Sequence, residues 1–308
     1  MTLGYIGLGK MGLAQVERLL EYGHRVVAWN RSEKPRLLAQ GAGAEITDSV
    51  AELVSKLKTP RVVWLMVPHA VVDDMLDELV PLLSKGDTII DGGNSFYKHS
   101  MRRASALAKK GINFLDCGTS GGPGGARKGA CLMIGGERKL FLRYEKLFRD
   151  LAALDAYAYF GKAGAGHFVK MVHNGIEYGM MQAIGEGFDV MKHSPFKLPL
   201  QEVARLYNHK SVIESRLIGW LHEAYKAHGE NLRGISGEVA HSGEGLWTVQ
   251  TGKELKVPVK VIDDSLRFRV KSKGNPSYTG QVVSALRNQF GGHTVTNNHR
   301  PATHHKKK

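Results

Sequence analysis

A short apolar run at residues 3–6 leads straight into Gly7-Leu8-Gly9-Lys10-Met11-Gly12, and an amphipathic stretch carrying Leu13, Val16, Leu19 and Leu20 follows. Strand, G-x-G-x-x-G turn and helix, in that order, leave few folds open. The context points to the first unit of an α/β dinucleotide-binding sheet. Gly7 permits the tight turn. Gly9 lets the backbone approach a pyrophosphate, whose charge a helix N-terminus favours. Leu8, Lys10, Met11 and Gly12 complete the cofactor-facing turn. The competing account is a glycine-rich turn that holds no nucleotide.

The next strand, residues 24–29, ends at Asn30-Arg31-Ser32, where such a fold meets the adenosine ribose. An acid there would accept from the 2′-hydroxyl of NAD and repel a 2′-phosphate. An amide, a guanidinium and a hydroxyl stand there instead, and Arg31 can pair a phosphate in bidentate fashion. NADP is therefore favoured, with NAD possible; a turn with a solvated arginine is the alternative. Residues 61–67 and 88–91 read as buried strands, with a helix between them at about 71–83. Pro68 ends the first strand just after Val67. Gly92-Gly93-Asn94-Ser95 follows the second, at the carboxyl end of the sheet, where ligands bind in open α/β folds. Val67 and Asn94 are assigned to the cofactor. After a basic helix comes a strand at 113–118, then Thr119-Ser120-Gly121-Gly122-Pro123-Gly124-Gly125. Read as a loop, this stretch offers N–H groups and a serine hydroxyl to an anion such as a carboxylate; a flexible linker is the other reading. Residues 131–134 and 156–160 read as late strands, expected to be antiparallel.

Gly161-Lys162-Ala163-Gly164-Ala165-Gly166 punctuates the chain, and the period beyond it is helical: 198–207, 212–227, 257–270 and 278–290. The expected architecture is a Rossmann-type α/β dinucleotide-binding domain over residues 1–163 followed by an all-α domain over 164–293. The polar stretch 294–308 is expected to be disordered.

Residues 168–184 carry the chemistry. On a helix Lys170, His173, Asn174, Glu177 and Tyr178 fall at i, i+3, i+4, i+7 and i+8, on one face. The rest of the turn is apolar: Phe168, Val169, Met171, Val172, Ile176, Met180, Met181 and Ile184. A surface helix has the opposite balance, so this one is expected to be buried with a narrow polar stripe around a cavity. Gly175 and Gly179 would admit a close neighbour on another side. A solvated stripe, or a structural Lys–Glu pair, is the competing account.

Composition sets the remaining bounds. The 308 residues carry a formal charge of +14. The basic residues are scattered, apart from the terminal His304-His305-Lys306-Lys307-Lys308, and no zinc-finger spacing or aromatic-interleaved basic stretch appears. A small polyanionic ligand in a positive field is preferred to nucleic acid. No apolar run is long enough to cross a bilayer, and the N-terminus lacks a basic n-region and a cleavage site. Two cysteines, Cys117 and Cys131, suggest a reducing compartment and small apolar packing roles. A cytoplasmic location follows as an expectation, with neither metal, membrane nor nucleic acid as partner.

Taken together, GLGKMG at 7–12, DGGNS at 91–95, TSGG at 119–122 and GAGHFVKMVHNGIEYG at 164–179 resemble the decarboxylating 6-phosphogluconate dehydrogenases, in their short bacterial form. The resemblance extends to about His293. The wider β-hydroxyacid dehydrogenase superfamily shares the nucleotide motif and a Lys-x-x-x-Asn pair, here Lys170 and Asn174, but not usually the full continuation. The resemblance implies substrate contacts from Asn94, Ser120, Gly121, Gly122, His173 and Asn174, and phosphate contacts from Tyr178, Thr248 and Arg269. It implies that Arg287 and His293 reach the pocket of a neighbouring subunit, in a homodimer or higher homo-oligomer with shared sites. Helix-surface charge is the other account of Arg269 and Arg287. Long members have a lysine where Leu246 stands, so this chain lacks one cation of their phosphate site.

The chemistry of that family fits these residue types. A neutral Lys170 would take the C3 hydroxyl proton as hydride leaves for the nicotinamide; desolvation would lower its pKa from the ordinary ~10.4. Protonated Lys170 and Asn174 would then hold the ketone oxygen during loss of CO2. Glu177, kept protonated by an apolar setting, would protonate C1 of the enediol. His173, Asn94 and Ser120 would orient substrate. Two rivals remain: a non-decarboxylating β-hydroxyacid dehydrogenase or imine reductase, and a non-enzymatic dinucleotide-binding redox sensor.

Overall fold

The computed structural model describes residues 1–241 and 243–292. His293 and the expected disordered stretch 294–308 lie outside the described residues. The chain divides into two compact units, Met1–His173 and Asn174 onward, and the division falls inside one long helix.

The first unit runs β1 (Thr2–Ile6), α1 (Lys10–Glu21), β2 (Arg25–Trp29), α2 (Glu33–Gly41), β3 (Glu45–Ile46), α3 (Val50–Ser55), β4 (Val62–Leu65), α4 (Val72–Leu79), β5 (Thr88–Asp91), α5 (Tyr97–Ala108), β6 (Asn113–Ser120), α6 (Gly122–Lys128), β7 (Ala130–Gly136), α7 (Arg138–Arg143), α8 (Glu145–Leu151) and β8 (Ala152–Tyr159). The strands form one sheet in the order β3-β2-β1-β4-β5-β6-β7-β8. Pairing is parallel from β3 through β6. β7 runs antiparallel to β6, as expected of a late strand. β8 departs from that expectation and lies parallel to β7. Helices α7 and α8 supply the crossover that a parallel return needs.

Period-two alternation explains the two cores. Leu3, Tyr5, Trp64, Ile90 and Leu115 join one cluster, while Ile6, Val63, Leu65, Ile89 and Phe114 join another. Both faces of these strands are apolar, so both must be covered, as the doubly wound fold requires. Small elements passed unforeseen: α2, the two-residue β3, and α3, whose Ser49 cap accepts from the Glu52 N–H at 3.1 Å. The stretch read as a loop at 119–125 is instead the end of β6 and the start of α6. Gly121 and Gly122, at φ of +127° and +63°, make the turn between them. Cys117 is a buried core residue, whereas Cys131 is exposed, which corrects its assignment to apolar packing.

The long helix α9 (Ala165–Lys192) runs through the division. After it come α10 (Leu200–Tyr207), α11 (Arg216–His228), α12 (Glu244–Glu254), α13 (Lys260–Ser272) and α14 (Tyr278–Gly291), with no strand among the described residues. Helix α11 starts later than its apolar pattern suggested, because Ser215 caps it by accepting from the Ile218 N–H at 3.2 Å. Helix α12 was not foreseen, since its sequence carries no continuous apolar stripe. Three glycines of α9 allow close packing. A Cβ at Gly175 would stand 2.6 Å from Thr248 of α12, at Gly179 3.2 Å from Val261 of α13, and at Gly185 3.1 Å from Thr279 of α14. The expectation of a buried helix with a narrow polar stripe is corrected at two of its apolar positions: Ile176 is 54% exposed and Met180 43%. Its neighbours cover only part of the turn.

Candidate active site

The turn after β1 has the geometry a pyrophosphate needs. Gly7 has φ +100°, and a Cβ there would meet the Met66 carbonyl at 2.4 Å. At Gly12 a Cβ would stand 2.0 Å from the Gly7 carbonyl, so helix and turn pack as only glycines allow. Gly9, the N-cap of α1, faces open space. No acid lies in the first turn of α1, so nothing there opposes an anion at the helix N-terminus. Leu8 is buried, while Gly9 and Lys10 are exposed and Met11 half-buried. These features fit a dinucleotide phosphate.

Asn30 braces this turn. Its Oδ1 accepts from the Leu8 N–H at 3.0 Å, and its Nδ2 donates to the Ser32 carbonyl at 3.1 Å. Arg31 and Ser32 are exposed beside it. Of the three residues after β2, Asn30 therefore shapes the loop, while Arg31 and Ser32 are exposed.

The DGGNS segment after β5 rests on a network that sequence reasoning missed. Asp91 is fully buried; its carboxylate accepts from the Gly93 N–H at 3.1 Å and the Ser95 hydroxyl at 2.7 Å. Arg103 of α5 approaches the same carboxylate at 3.5 Å and pairs with Asp73 at 2.8 Å. A Cβ at Gly92 would collide with the Trp64 indole at 2.3 Å, and one at Gly93 with the Val67 carbonyl at 2.8 Å. Val67 and Asn94, both half-buried, thus sit on loops that pack directly against each other.

Further along the sheet, Ser120 ends β6 and is followed by Gly121 and Gly122. The Ser120 hydroxyl lies 3.1 Å from His173 Nε2, and His173 Nδ1 lies 3.5 Å from Lys170 Nζ. Lys170 is buried at 8% exposure. Asn174 and Glu177 continue the same stripe along α9 and are half-buried.

In the second unit the candidate phosphate residues gather around two arginines. The guanidinium of Arg269 stacks on the Tyr178 ring, and Arg269 and Arg287 are both buried. Burial pushes Arg269 down to about 10, with Arg287 adding to the fall and Tyr178, Glu177 and Glu244 opposing it. Burial also lowers Arg287, against Tyr178, Glu244 and Glu177. Arg269 Nη2 is buried with no hydrogen-bond partner, and an orphaned cationic donor suits an anion. Both arginines are buried rather than helix-surface charges. Arg287, for which the resemblance implies a role at a neighbouring subunit's pocket, lies on α14 and is buried. Thr248 donates to the Glu244 carbonyl at 2.9 Å and packs on Gly175. Glu244 was missed because its helix was. Leu246, in place of the long-form lysine, is 38% exposed. A cavity of about 610 Å³ lined by Ala104, Ile112, Phe114, Arg138, Tyr159 and Lys162, among others, contains none of these residues.

Among the described residues no group of His, Cys, Asp and Glu is arranged to hold a metal ion, and no helix is long and apolar enough to cross a membrane.

Comparison with known proteins agrees with this geometry. Residues 2–164 match the NAD binding domain of 6-phosphogluconate dehydrogenase, and residues 166–278 match the C-terminal domain of that enzyme. YqeC of Bacillus subtilis, provisionally named a 6-phosphogluconate dehydrogenase, is 48% identical over 295 residues, covering 96% of this chain and 99% of that one. The NAD(+)-dependent, decarboxylating 6-phosphogluconate dehydrogenase of Haloferax volcanii is 43% identical, with 96% and 98% covered. The Plasmodium falciparum enzyme, solved in its apo form, with NADP+ and with 6-phosphogluconate, superposes with a TM-score of 0.77 at 30% identity; it is a longer chain, 62% of which is covered by 88% of this one. The 3-hydroxyisobutyrate dehydrogenase of Mycobacterium tuberculosis shares the fold at 19% identity, with a TM-score of 0.73 and 93% and 99% covered. The chain belongs to the 6-phosphogluconate dehydrogenase family.

Proposed function

We propose that this protein oxidatively decarboxylates 6-phosphogluconate to ribulose 5-phosphate and CO2 while reducing a nicotinamide dinucleotide, NADP in preference to NAD. The observation that carries the reading is the buried Lys170, in line with His173 and Ser120 at the end of β6. Burial favours the neutral form of an amine, which is the form able to accept a proton.

The bound dinucleotide supplies the hydride acceptor. Lys170 takes the proton of the C3 hydroxyl as the C3 hydrogen departs with its electron pair. The resulting 3-keto acid loses CO2 when its C1–C2 bond breaks toward the ketone, whose oxygen then gains the proton from Lys170. Asn174 holds that oxygen with its amide. The enediol so formed takes a proton at the former C2, now C1 of the five-carbon product, from Glu177, two turns further along α9, to give the ketose. Asn94, Ser120, Gly121, Gly122 and His173 orient hydroxyls and carboxylate. Tyr178, Thr248, Arg269 and Arg287 hold the phosphate. Arg269 stays cationic at neutral pH, since about 10 is still far above it. Gly7 to Gly12 cradle the pyrophosphate, and Arg31 with Ser32 meets the adenosine ribose. We take the working unit to be a homodimer acting in the cytoplasm, with a domain boundary near residue 164.

A steady-state assay with 6-phosphogluconate and each dinucleotide, following reduced nicotinamide and CO2 together, tests the reading. Equal yields of both are expected. Reduction of nicotinamide with 3-hydroxyisobutyrate, without CO2, would transfer the assignment to the non-decarboxylating relatives. Salt-sensitive DNA binding with no turnover would transfer it to a sensor.

A further inference from the structure

Strand β6 presents Asp116, Gly118 and Ser120 on one face, because alternate residues of a strand point the same way. Asp116 is fully buried. One of its oxygens accepts from the Gly164 N–H at 2.6 Å and the other from the His167 N–H at 2.8 Å. Its charge is thereby matched to free amide donors at the start of α9, and to the positive end of a 28-residue helix. Gly118, two residues on, has no side chain where one would be ruinous: a Cβ there would stand 2.4 Å from the Lys170 Cβ. Ser120, two further, meets His173. One edge of one strand therefore holds the first turn of α9, seats Lys170, and contacts the residue beside it.

The seat has no slack. A Cβ at Gly166 would meet the Met133 carbonyl at 2.2 Å, and one at Gly135 would meet both Asp116 and the Gly166 nitrogen at 2.7 Å. On the other side Ser100 of α5 bonds His167 Nδ1 at 2.7 Å. Gly164, Gly166 and His167 are thus fixed within two turns of Lys170.

We propose that Asp116 is a positioning residue for the reaction: by clamping the Gly164 and His167 amides it sets α9 against β6, and so places Lys170 beside Gly118 and its neighbour His173 within reach of Ser120. This rests on the reading of Lys170 as the base. Asn at 116 keeps the size but offers one acceptor and one donor to two donors, so one amide loses its partner and the helix start must shift. Displacement of a base by about 1 Å can reduce turnover on the order of a hundredfold.

The test uses the full chain carrying Asp116→Asn, with Gly118→Ala as a second variant that pushes Lys170 off the strand without altering charge. Folding is checked by thermal melting. Two readouts follow: kcat and KM for 6-phosphogluconate and dinucleotide, and the rate of reductive methylation of Lys170 relative to the exposed Lys162. The expectation for Asp116→Asn is a kcat lower by about tenfold or more, KM values within about twofold, and several-fold faster labelling of Lys170. A merely structural role lowers the melting temperature and leaves both readouts alone. A folded Asp116→Asn protein with unchanged kcat overturns the proposal. Should that variant not fold, Gly118→Ala decides by the same criteria. If the wild type does not turn over 6-phosphogluconate, the assigned reaction fails; the labelling ratio then decides for Asp116, an unchanged ratio overturning its role and a raised one supporting it.

Discussion

The guanidinium carbon of Arg269 lies 3.3 Å from the centroid of the Tyr178 ring. Both residues are buried, so the stack is formed away from water, where a cation over an aromatic face is worth most. Stacking also fixes the plane of the guanidinium and leaves its edge to bond a ligand. Lysine retains the charge but loses the plane and the fork. Arg269→Lys is expected to raise KM for 6-phosphogluconate about tenfold and Arg269→Ala about a hundredfold, the range a charge-assisted hydrogen bond spans. The kcat should change less, because the phosphate is remote from the reacting carbons. Steady-state kinetics check this, and a KM that stays put would remove Arg269 from the phosphate site.

Lys170 and Glu177 are assigned to opposite ends of the reaction, which single-turnover kinetics can separate. Lys170→Ala is expected to abolish hydride transfer, so no burst of reduced nicotinamide forms. Glu177→Ala should reduce the nicotinamide in a first turnover and then stall before the enediol becomes the ketose. Rapid-quench measurement of reduced nicotinamide against ribulose 5-phosphate reports both. Near-normal turnover of the lysine variant, or normal ketose release by the glutamate variant, removes that residue from its role.

What the sequence makes legible is local. Gly7 to Gly12 show their turn because strand, turn and helix are contiguous. Lys170 and His173 appear on one stripe because helical spacing alone puts them there. Asp116 is different: its partners lie 48 and 51 residues away, on a helix whose start only the folded strand can fix. Asp91 and Arg103 escaped because twelve residues and a turn into α5 separate them, a spacing that neither strand nor helix period marks, and Glu244 escaped because its helix lacks the apolar period that would announce it. The exposure of Ile176 and Met180 was equally hidden. An apolar turn declares that it can be buried, not which neighbours bury it.

Cofactor choice turns on Arg31, which is exposed where Asn30 is occupied by the Leu8 amide and the Ser32 carbonyl. If Arg31 pairs a 2′-phosphate, its removal should hurt NADP alone. Arg31→Ala is expected to raise KM for NADP about tenfold or more, the worth of a charge-assisted pair, and leave KM for NAD within about twofold. Wild-type titrations that show NAD bound more tightly than NADP would overturn the preference itself.

Asp73 offers a test of the loop scaffold through pH. Hydrogen bonds from Arg103, with Arg102 adding to them, outweigh burial and hold its carboxyl at about 2 against an ordinary 3.8. Between those values the unfolded chain binds more protons than the folded one, so stability rises with pH through that window. The contribution is complete above the unfolded value and is lost as pH falls through about 2. Asp73 is 47% exposed, so solvent screens the pair and the gain is modest. Asp73→Asn is expected to lower the urea midpoint slightly at neutral pH and to flatten its fall between about pH 4 and pH 2. Because Arg103 also approaches Asp91 and Ser95, the same variant should loosen the Asn94 loop and raise KM for the dinucleotide a few-fold. An acid limb as steep as that of the wild type would show that Asp73 gains nothing from its arginines.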